Sequence, residues 1–382
     1  MIDAADIVII GGGAMGTSTA YHLAKLGHAD VAVLEKRSIA SGATGKAAGV
    51  FRQQFTTETN IRIAMESVRA FESFAGQMDT DIALHQWGVR FLATTPRDWE
   101  AFQSNVALQK RLGVPVELLS HDDLREMAPY LYLDDVLGGT LCPTDGWADP
   151  YSVAMGFAKQ ARRMGVKIHE GVEATGIQVK DGRVEGVTTK QGDIATHNVV
   201  NAAGPWGGLV GDMAKVEVPI QPYRRHIFVT APFDQLPERF PETIDFAASW
   251  YLRREGPGIL MGMTDHDEPP SFNETVSRSF LNKVVEHAMM RVPALERAGH
   301  KDAWAGLYEV TPDDNPIIGL NLGSLEGFHC VAGFSGHGFM LSPAIGRLMA
   351  DMLVGRELDI DLSDFALDRF KGGMVHRERA VI

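Results

Sequence analysis

The stretch IVIIGGGAMGTSTAYHLAKLGHADVAVLE, residues 7–35, decides the fold. Ile7 to Ile10 is a short apolar run without polar alternation, the pattern of a strand buried on both faces. Glycines 11, 12, 13 and 16 follow. From Met15 to Leu26 the residues read as a helix with Ala20, Leu23 and Ala24 on one face, and Gly27 stops it. Val31 to Leu34 is a second strand, ended by Glu35. The unit is strand–glycine loop–helix–strand, and each glycine of Gly11-x-Gly13-x-x-Gly16 has a physical task. The first permits a tight turn, the second lets backbone approach a pyrophosphate, and the third lets helix and strand pack closely. The helix start offers free N–H groups and partial positive charge to phosphates. Glu35, about 20 residues beyond the third glycine, is placed to accept hydrogen bonds from ribose hydroxyls. A dinucleotide site is therefore expected, with Gly11, Gly13, Ala14, Met15, Gly16, Glu35 and Lys36 in it.

Outward from this unit, residues 41–49, SGATGKAAG, form a second small-residue loop that lets a long cofactor lie against the backbone. Residues 60–75 read as an amphipathic helix with Ile61, Ala64, Val68, Phe71 and Ala75 on one side. Residues 87–94 read as a strand and 98–112 as a helix. Asp149 and Pro150 look like the N-cap and first position of a helix running to Met164. Between 166 and 203 strand-like runs surround Asp181-Gly182, a hairpin signal, and close on NVVNAAGPW (198–206), a buried strand entering a glycine turn. Residues 219–265 are strand-rich and 275–292 helical. The chain then reads as a strand (Phe328 to Ala332), a glycine-rich turn (Gly333 to Gly338) and a helix (Pro343 to Val354). That helix start can face the flavin end of a cofactor and stabilise negative charge on its reduced ring. The first βαβ unit alone leaves NAD and FAD both open; the two later loops are what FAD would use.

Bulk properties bound the function. At 382 residues the chain exceeds one compact core, so two domains are expected. Its 45% apolar and 22% charged content is that of a soluble globular protein. A net charge of −13 excludes nucleic acid or anionic lipid attracted by the overall field, while leaving room for a local basic pocket. Cys142 and Cys330 form neither a metal cluster nor a CxxC pair, which points to a reduced, cytoplasmic setting. No signal peptide and no transmembrane segment are expected. The 13 histidines show no HxxxH or HExxH pattern, so no metal site is expected.

The motifs IIGGGAMG (9–16), LEK (34–36), SGATGKAAGVFRQQF (41–55), NAAGPW (201–206), WAGLYEVTPDDNPIIG (304–319) and AGFSGHGFM (332–340) span nearly the whole chain. Together they resemble the D-amino-acid oxidase and sarcosine oxidase family of flavoproteins. The nearest likeness is to sarcosine oxidases and to the β-subunits of heterotetrameric sarcosine oxidase and of dye-linked L-proline dehydrogenase. The resemblance implies an α/β fold: an FAD-binding, Rossmann-like domain of glutathione-reductase type, plus a substrate domain with a large mixed β-sheet and helices. Residues 1–85, 140–215 and 320–382 are assigned to the first domain, and 86–139 and 216–319 to the second. It adds Ser41, Thr44, Gly45, Ala47, Ala48, Gly49, Val172, Ala203, Gly204, Trp206, Gly333, Gly336, His337, Gly338, Phe339 and Met340 to the expected FAD contacts.

The implied activity is oxidation of a C–N bond in a small secondary or N-methyl amino acid, such as sarcosine or proline. Hydride passes to flavin N5, and the resulting imine hydrolyses. Alternatives are oxidation of a D-amino acid or 2-hydroxy acid, an electron-relay flavin subunit of a larger complex, and an NAD-dependent dehydrogenase using only the βαβ unit. Arg52 matches the family's carboxylate-binding arginine, and guanidinium binds carboxylate bidentately. Tyr308 and Tyr251 match the aromatic pocket wall, and His337 sits at the expected flavin edge. His226 reads as packing. Departures from the family carry information too. Gly306 stands where monomeric sarcosine oxidases attach flavin through cysteine, and Pro150 where heterotetrameric β-subunits hold FMN through histidine. Non-covalent FAD is the expectation. Leu260 stands at about the place of the lysine that promotes oxygen reduction, and Met340 at that of a second, carboxylate-binding lysine. The electron acceptor, oxygen or another, and a partner subunit stay open.

Overall fold

The computed structural model describes residues 3–372 and 377–380; the outermost ends of the expected FAD-binding segments fall outside them. The βαβ unit forms as read: strand Ile7–Ile10, helix Ala14–Lys25, strand Val31–Glu35. The two strands are parallel, and all four residues of the first are buried. They sit inside a six-stranded sheet ordered Ile317–Gly319, Phe328–Ala332, Val199–Asn201, Ile7–Ile10, Val31–Glu35, Lys167–Glu170. Every neighbouring pair is parallel except the first. Both faces are covered, which is why the central strands carry no polar alternation. On one face lie the helices Ala14–Lys25, Glu58–Met78, Pro150–Arg163 and Gly338–Leu353, joined through a core that includes Phe71, Phe74, Phe157 and Ile345. The other face packs on the three-stranded antiparallel sheet of residues 174–195, whose hairpin turns at Asp181-Gly182 with both residues at positive φ.

A second sheet has eight strands in the order His300–Val310, Gln221–Thr230, Gly258–Met263, Trp250–Glu255, Glu242–Asp245, Val89–Ala93, Gly138–Cys142, Glu117–Ser120. It is mixed: Glu242–Asp245 runs parallel to Val89–Ala93 while the other neighbours are antiparallel. Helix Arg278–Arg291 covers one face through Phe280, Val284 and Ala288. The opposite face roofs the cleft described below. Strand Ile317–Gly319 lies in the first sheet, just ahead of residue 320, and strand Gly138–Cys142 in the second, across residue 140.

Helix starts follow side-chain caps. Thr57, Thr95, Asp149 and Ser277 each accept a backbone N–H, setting helices at Glu58, Pro96, Pro150 and Arg278. The last long helix departs from expectation. It begins at Gly338 rather than Pro343, so Pro343 lies inside it. Proline lacks the N–H that would bond the carbonyl of Phe339, and the Ser342 hydroxyl donates to that carbonyl at 2.9 Å instead. Among the described residues no helix is long and apolar enough to cross a membrane.

Candidate active site

The glycine loop opens into a long cleft between the two large sheets. Gly11 has φ +119°, and a Cβ there would stand 2.2 Å from the Ala202 carbonyl oxygen. Gly16 lies beneath it, within 1.9 Å of the Gly11 oxygen if given a Cβ, so it packs helix to loop and does not line the cleft. Helix Ala14–Lys25 has no side-chain cap on Gly13 and no acid in its first turn, which leaves its positive end open toward the cleft. The Thr44 hydroxyl accepts Ala14 N–H at 3.0 Å and ties the 41–49 loop to that helix start. Glu35 closes the far end: its carboxylate accepts Gly12 N–H and Arg37 N–H, both at 2.9 Å. Beside it the Lys36 ammonium lies 3.3 Å from the centre of the Trp206 ring.

Most expected contacts come together here. Gly11, Gly13, Ala14, Met15, Glu35, Lys36, Thr44, Ala47, Ala48, Gly49, Val172, Ala203, Gly204, Trp206, Gly336, His337, Gly338, Phe339 and Met340 line the cleft, with Arg52, Tyr251 and Tyr308. Gly16, Ser41, Gly45 and Gly333 do not. Gly45 N–H instead bonds the Ala40 carbonyl at 2.8 Å, and Gly333 N–H donates to Glu309 at 3.1 Å. The Ser41 hydroxyl is buried without a hydrogen-bond partner among the described residues. An open helix start and a glycine loop whose backbone phosphates can approach fit a bound dinucleotide.

The inner end of the cleft is chemically different. Arg52 is 3% exposed. It donates to the Gln54 carbonyl at 2.8 Å, to His337 Nε2 at 3.0 Å and to the Ala380 carbonyl. Among the described residues no carboxylate comes within ion-pair distance of it, so a buried positive charge stands without a contacting anion. Burial also holds the His337 imidazole well below its ordinary pKa, with the Arg52 charge adding to the effect. His337 is therefore neutral, and accepting from Arg52 puts its proton on Nδ1. The Tyr251 ring lies over Gly262, whose missing Cβ would come within 2.3 Å of the phenol oxygen. Tyr308 lies against Gly336 in the same way. Burial raises both phenols, so both are neutral.

Among the lining residues not singled out from sequence are the charged groups Arg225, Glu242 and Glu309. Arg225 shares a face with Tyr223 and Ile227 by strand alternation and lies 5.1 Å from the Tyr308 ring centre. That alternation was readable; the facing of Glu242 depends on which strands become neighbours. Glu309 sits beside the glycine turn, and burial lifts its carboxyl to about 7 against the backbone donors of Gly333 and Phe334. His226 points to the other face, where Ser277 N–H donates to it at 3.0 Å and Phe280 packs on it, as expected for a packing role. Leu260 is buried with Ile227 and Val229 against Ala48 and Trp304. Among the described residues no group of three or more His, Cys, Asp or Glu is arranged to hold a metal.

A dinucleotide cradle roofed by a mixed sheet that carries two tyrosines, with the buried Arg52 beside them, defines a flavin oxidoreductase architecture. The sequence profile described as FAD dependent oxidoreductase (DAO) matches residues 6–352, and the chain belongs to that family. It is 31% identical to mitochondrial dimethylglycine dehydrogenase of Rattus norvegicus over 96% of this chain and 45% of that protein. It is 30% identical to sarcosine oxidase subunit beta of Rhizobium meliloti (strain 1021) over 98% of this chain and 90% of that protein. Among solved structures, L-proline dehydrogenase from P. horikoshii superposes with a TM-score of 0.91 at 33% identity, covering 98% of this chain and 100% of that one. The chain spans less than half the length of the mitochondrial dehydrogenases it matches.

Proposed function

We propose that this chain oxidises the C–N bond of a small secondary or N-methyl amino acid, of the sarcosine, dimethylglycine or proline kind, with FAD held in the cleft. FAD, when bound, supplies the two-electron acceptor for the hydride that leaves a C–H next to the substrate's nitrogen. The observation that carries the reading is Arg52: a buried guanidinium with no contacting carboxylate among the described residues, at the inner end of a dinucleotide cleft, is matched to a substrate carboxylate. Tyr251, Tyr308 and Ile244 wall the space beside it and exclude water around the reacting carbon. His337 orients Arg52 through the Nε2 contact and carries no charge of its own. The cradle residues named above hold the cofactor, Glu35 at the ribose and the Gly338 helix start toward the flavin end. Residues of the first sheet make up the FAD domain and those of the second the substrate domain.

FAD is held without a covalent bond: among the described residues the cleft lining offers no cysteine, and its one histidine, His337, is engaged with Arg52. Cys142 and Cys330 are free and buried, which suits a reducing, cytoplasmic setting. The likeness to an oxidase β-subunit supports a second reading, a flavin subunit that passes electrons within a larger assembly. Slow reaction with oxygen fits both readings: Leu260 is apolar and lies outside the cleft lining, His337 is neutral, and the Arg52 charge is taken up by the substrate carboxylate. The test is anaerobic bleaching of the purified yellow protein with sarcosine, dimethylglycine, L-proline, D-amino acids and 2-hydroxy acids, followed by mixing with oxygen or a dye. Bleaching by the N-substituted or cyclic amino acids, with faster reoxidation by dye, is expected. Bleaching only by D-amino or hydroxy acids overturns the substrate class, and no bleaching with any of them leaves the relay subunit.

A further inference from the structure

Buried carboxylates in this chain are otherwise provided for. Asp145, Asp245, Asp313, Asp314, Asp351 and Glu378 are each held by arginines or by amide or hydroxyl groups. Glu242 is the exception: it is 2% exposed, and its Oε2 is buried with no hydrogen-bond partner among the described residues. Strand alternation explains where it points. Thr243 and Asp245 face away from the cleft, bound to Arg90 and Arg291, while Glu242 and Ile244 line it. Arg52, Tyr251 and Tyr308 line the same space. The cations that act on Glu242 are Arg253 and Arg52. Arg253 is committed elsewhere, to Glu255 and the Ala48 carbonyl, both at 2.6 Å.

We propose that Glu242 receives the substrate's amine, accepting a hydrogen bond from the ammonium of an amino acid whose carboxylate rests on Arg52, and takes one proton from that nitrogen. In this step an N–H bond breaks and a carboxyl O–H bond forms, with no change of oxidation state. The neutral amine left behind is the form able to release hydride, and the proton returns to water when product leaves. The assignment rests on the amino-acid reading above.

Burial suits the group to the task. A carboxylate at its ordinary value lies about 6 pH units below an alkyl ammonium and cannot hold its proton. Burial pushes Glu242 up to about 8, with Arg253 and Arg52 pulling it back, so before substrate arrives it is mainly protonated at neutral pH. The arriving ammonium draws out the ionised form, which then takes its proton. The gap narrows to roughly 2 units, and a low-dielectric pocket favours a neutral acid–amine pair over two charges. Tyr251 and Tyr308, the other titratable groups facing it, stay neutral.

The test uses the FAD-loaded chain, wild type against Glu242→Gln and Glu242→Asp. Sarcosine and L-proline probe anaerobic bleaching across pH. (Methylthio)acetate, which carries sulfur in place of the N–H, probes carboxylate binding through the shift it causes in flavin absorbance. Glu242→Gln should slow bleaching near neutral pH on the order of 100-fold. Its rate should then climb with pH toward the amine's own pKa, while (methylthio)acetate binds as to wild type. Glu242→Asp should recover part of the rate. A Gln variant with the wild-type rate and pH profile overturns the proposal, as does equal loss of bleaching and thioether binding, which would make Glu242 merely pocket wall. If the Gln chain loses FAD, the Asp variant decides by the same two readouts. Failure of wild type itself to bleach marks failure of the functional reading instead.

Discussion

Arg52 is buried and has no contacting anion among the described residues, and that combination makes its removal informative. Arg52→Ala should leave the flavin spectrum in place while weakening carboxylate binding by about 2–5 kcal/mol, the cost of losing one side of a desolvated pair. Titration of flavin absorbance with a carboxylate analogue checks it; lost FAD with normal analogue affinity would put Arg52 on the cofactor side. Glu35 acts at the other end of the cleft. Glu35→Ala removes the ribose acceptor and also strands Gly12 N–H, so FAD affinity should fall by about 1–3 kcal/mol, read by quenching of flavin fluorescence on titration. These residues were legible from motif and resemblance because each sits inside a contiguous signature. Glu242 was not. Its partners Val89 and Arg253 lie on neighbouring strands, and strand order is set by the tertiary fold rather than by local sequence.

At the scale of elements, the turn from Gly333 to His337 fixes the inner end of the cleft. Gly336 has φ +93°, and a Cβ there would stand 2.3 Å from the Tyr308 ring. Gly336→Ala is therefore strained in backbone and pushes Tyr308 from its place. The expected outcome is folded, yellow protein with a sharply reduced bleaching rate; an unchanged rate would show that Tyr308 does not need this position. The helices were readable to within a few residues because capping residues and periodic apolar faces are local signals. The start of the last helix was misread because proline usually marks a first turn, whereas here Ser342 replaces the missing backbone donor. The short strand Glu117–Ser120 and helix His121–Met127 escaped notice; too few residues carry their period for it to stand out.

For the whole molecule, buried titratable groups set opposing pH limits. Burial raises Glu242 to about 8, Glu309 to about 7 and Asp145 to about 6. Their contribution to stability is complete below ordinary carboxylate values and is lost as pH rises through these values. Burial lowers His22 to about 3 and His329 to about 4. Theirs is complete above the ordinary histidine value and is lost as pH falls through those numbers. Summed over these groups, thermal unfolding followed across pH should show a maximum between about pH 4 and 5, and Glu242→Gln should flatten the decline on the alkaline side. A monotonic rise from acid to pH 9 would contradict the assignment. Sheet topology has a separate consequence, for biosynthesis. Strand Ile7–Ile10 is made well before its neighbour Val199–Asn201 and that strand's neighbour Phe328–Ala332. At about 5–20 residues per second the opening strand waits on the order of 10–40 s for its first distant partner, and longer for the second. The glycine loop meanwhile has no Ala202 to close against. Cofactor capture thus waits until residues 328–332 have emerged, and nascent chains stalled before residue 328 should be colourless and dependent on chaperones.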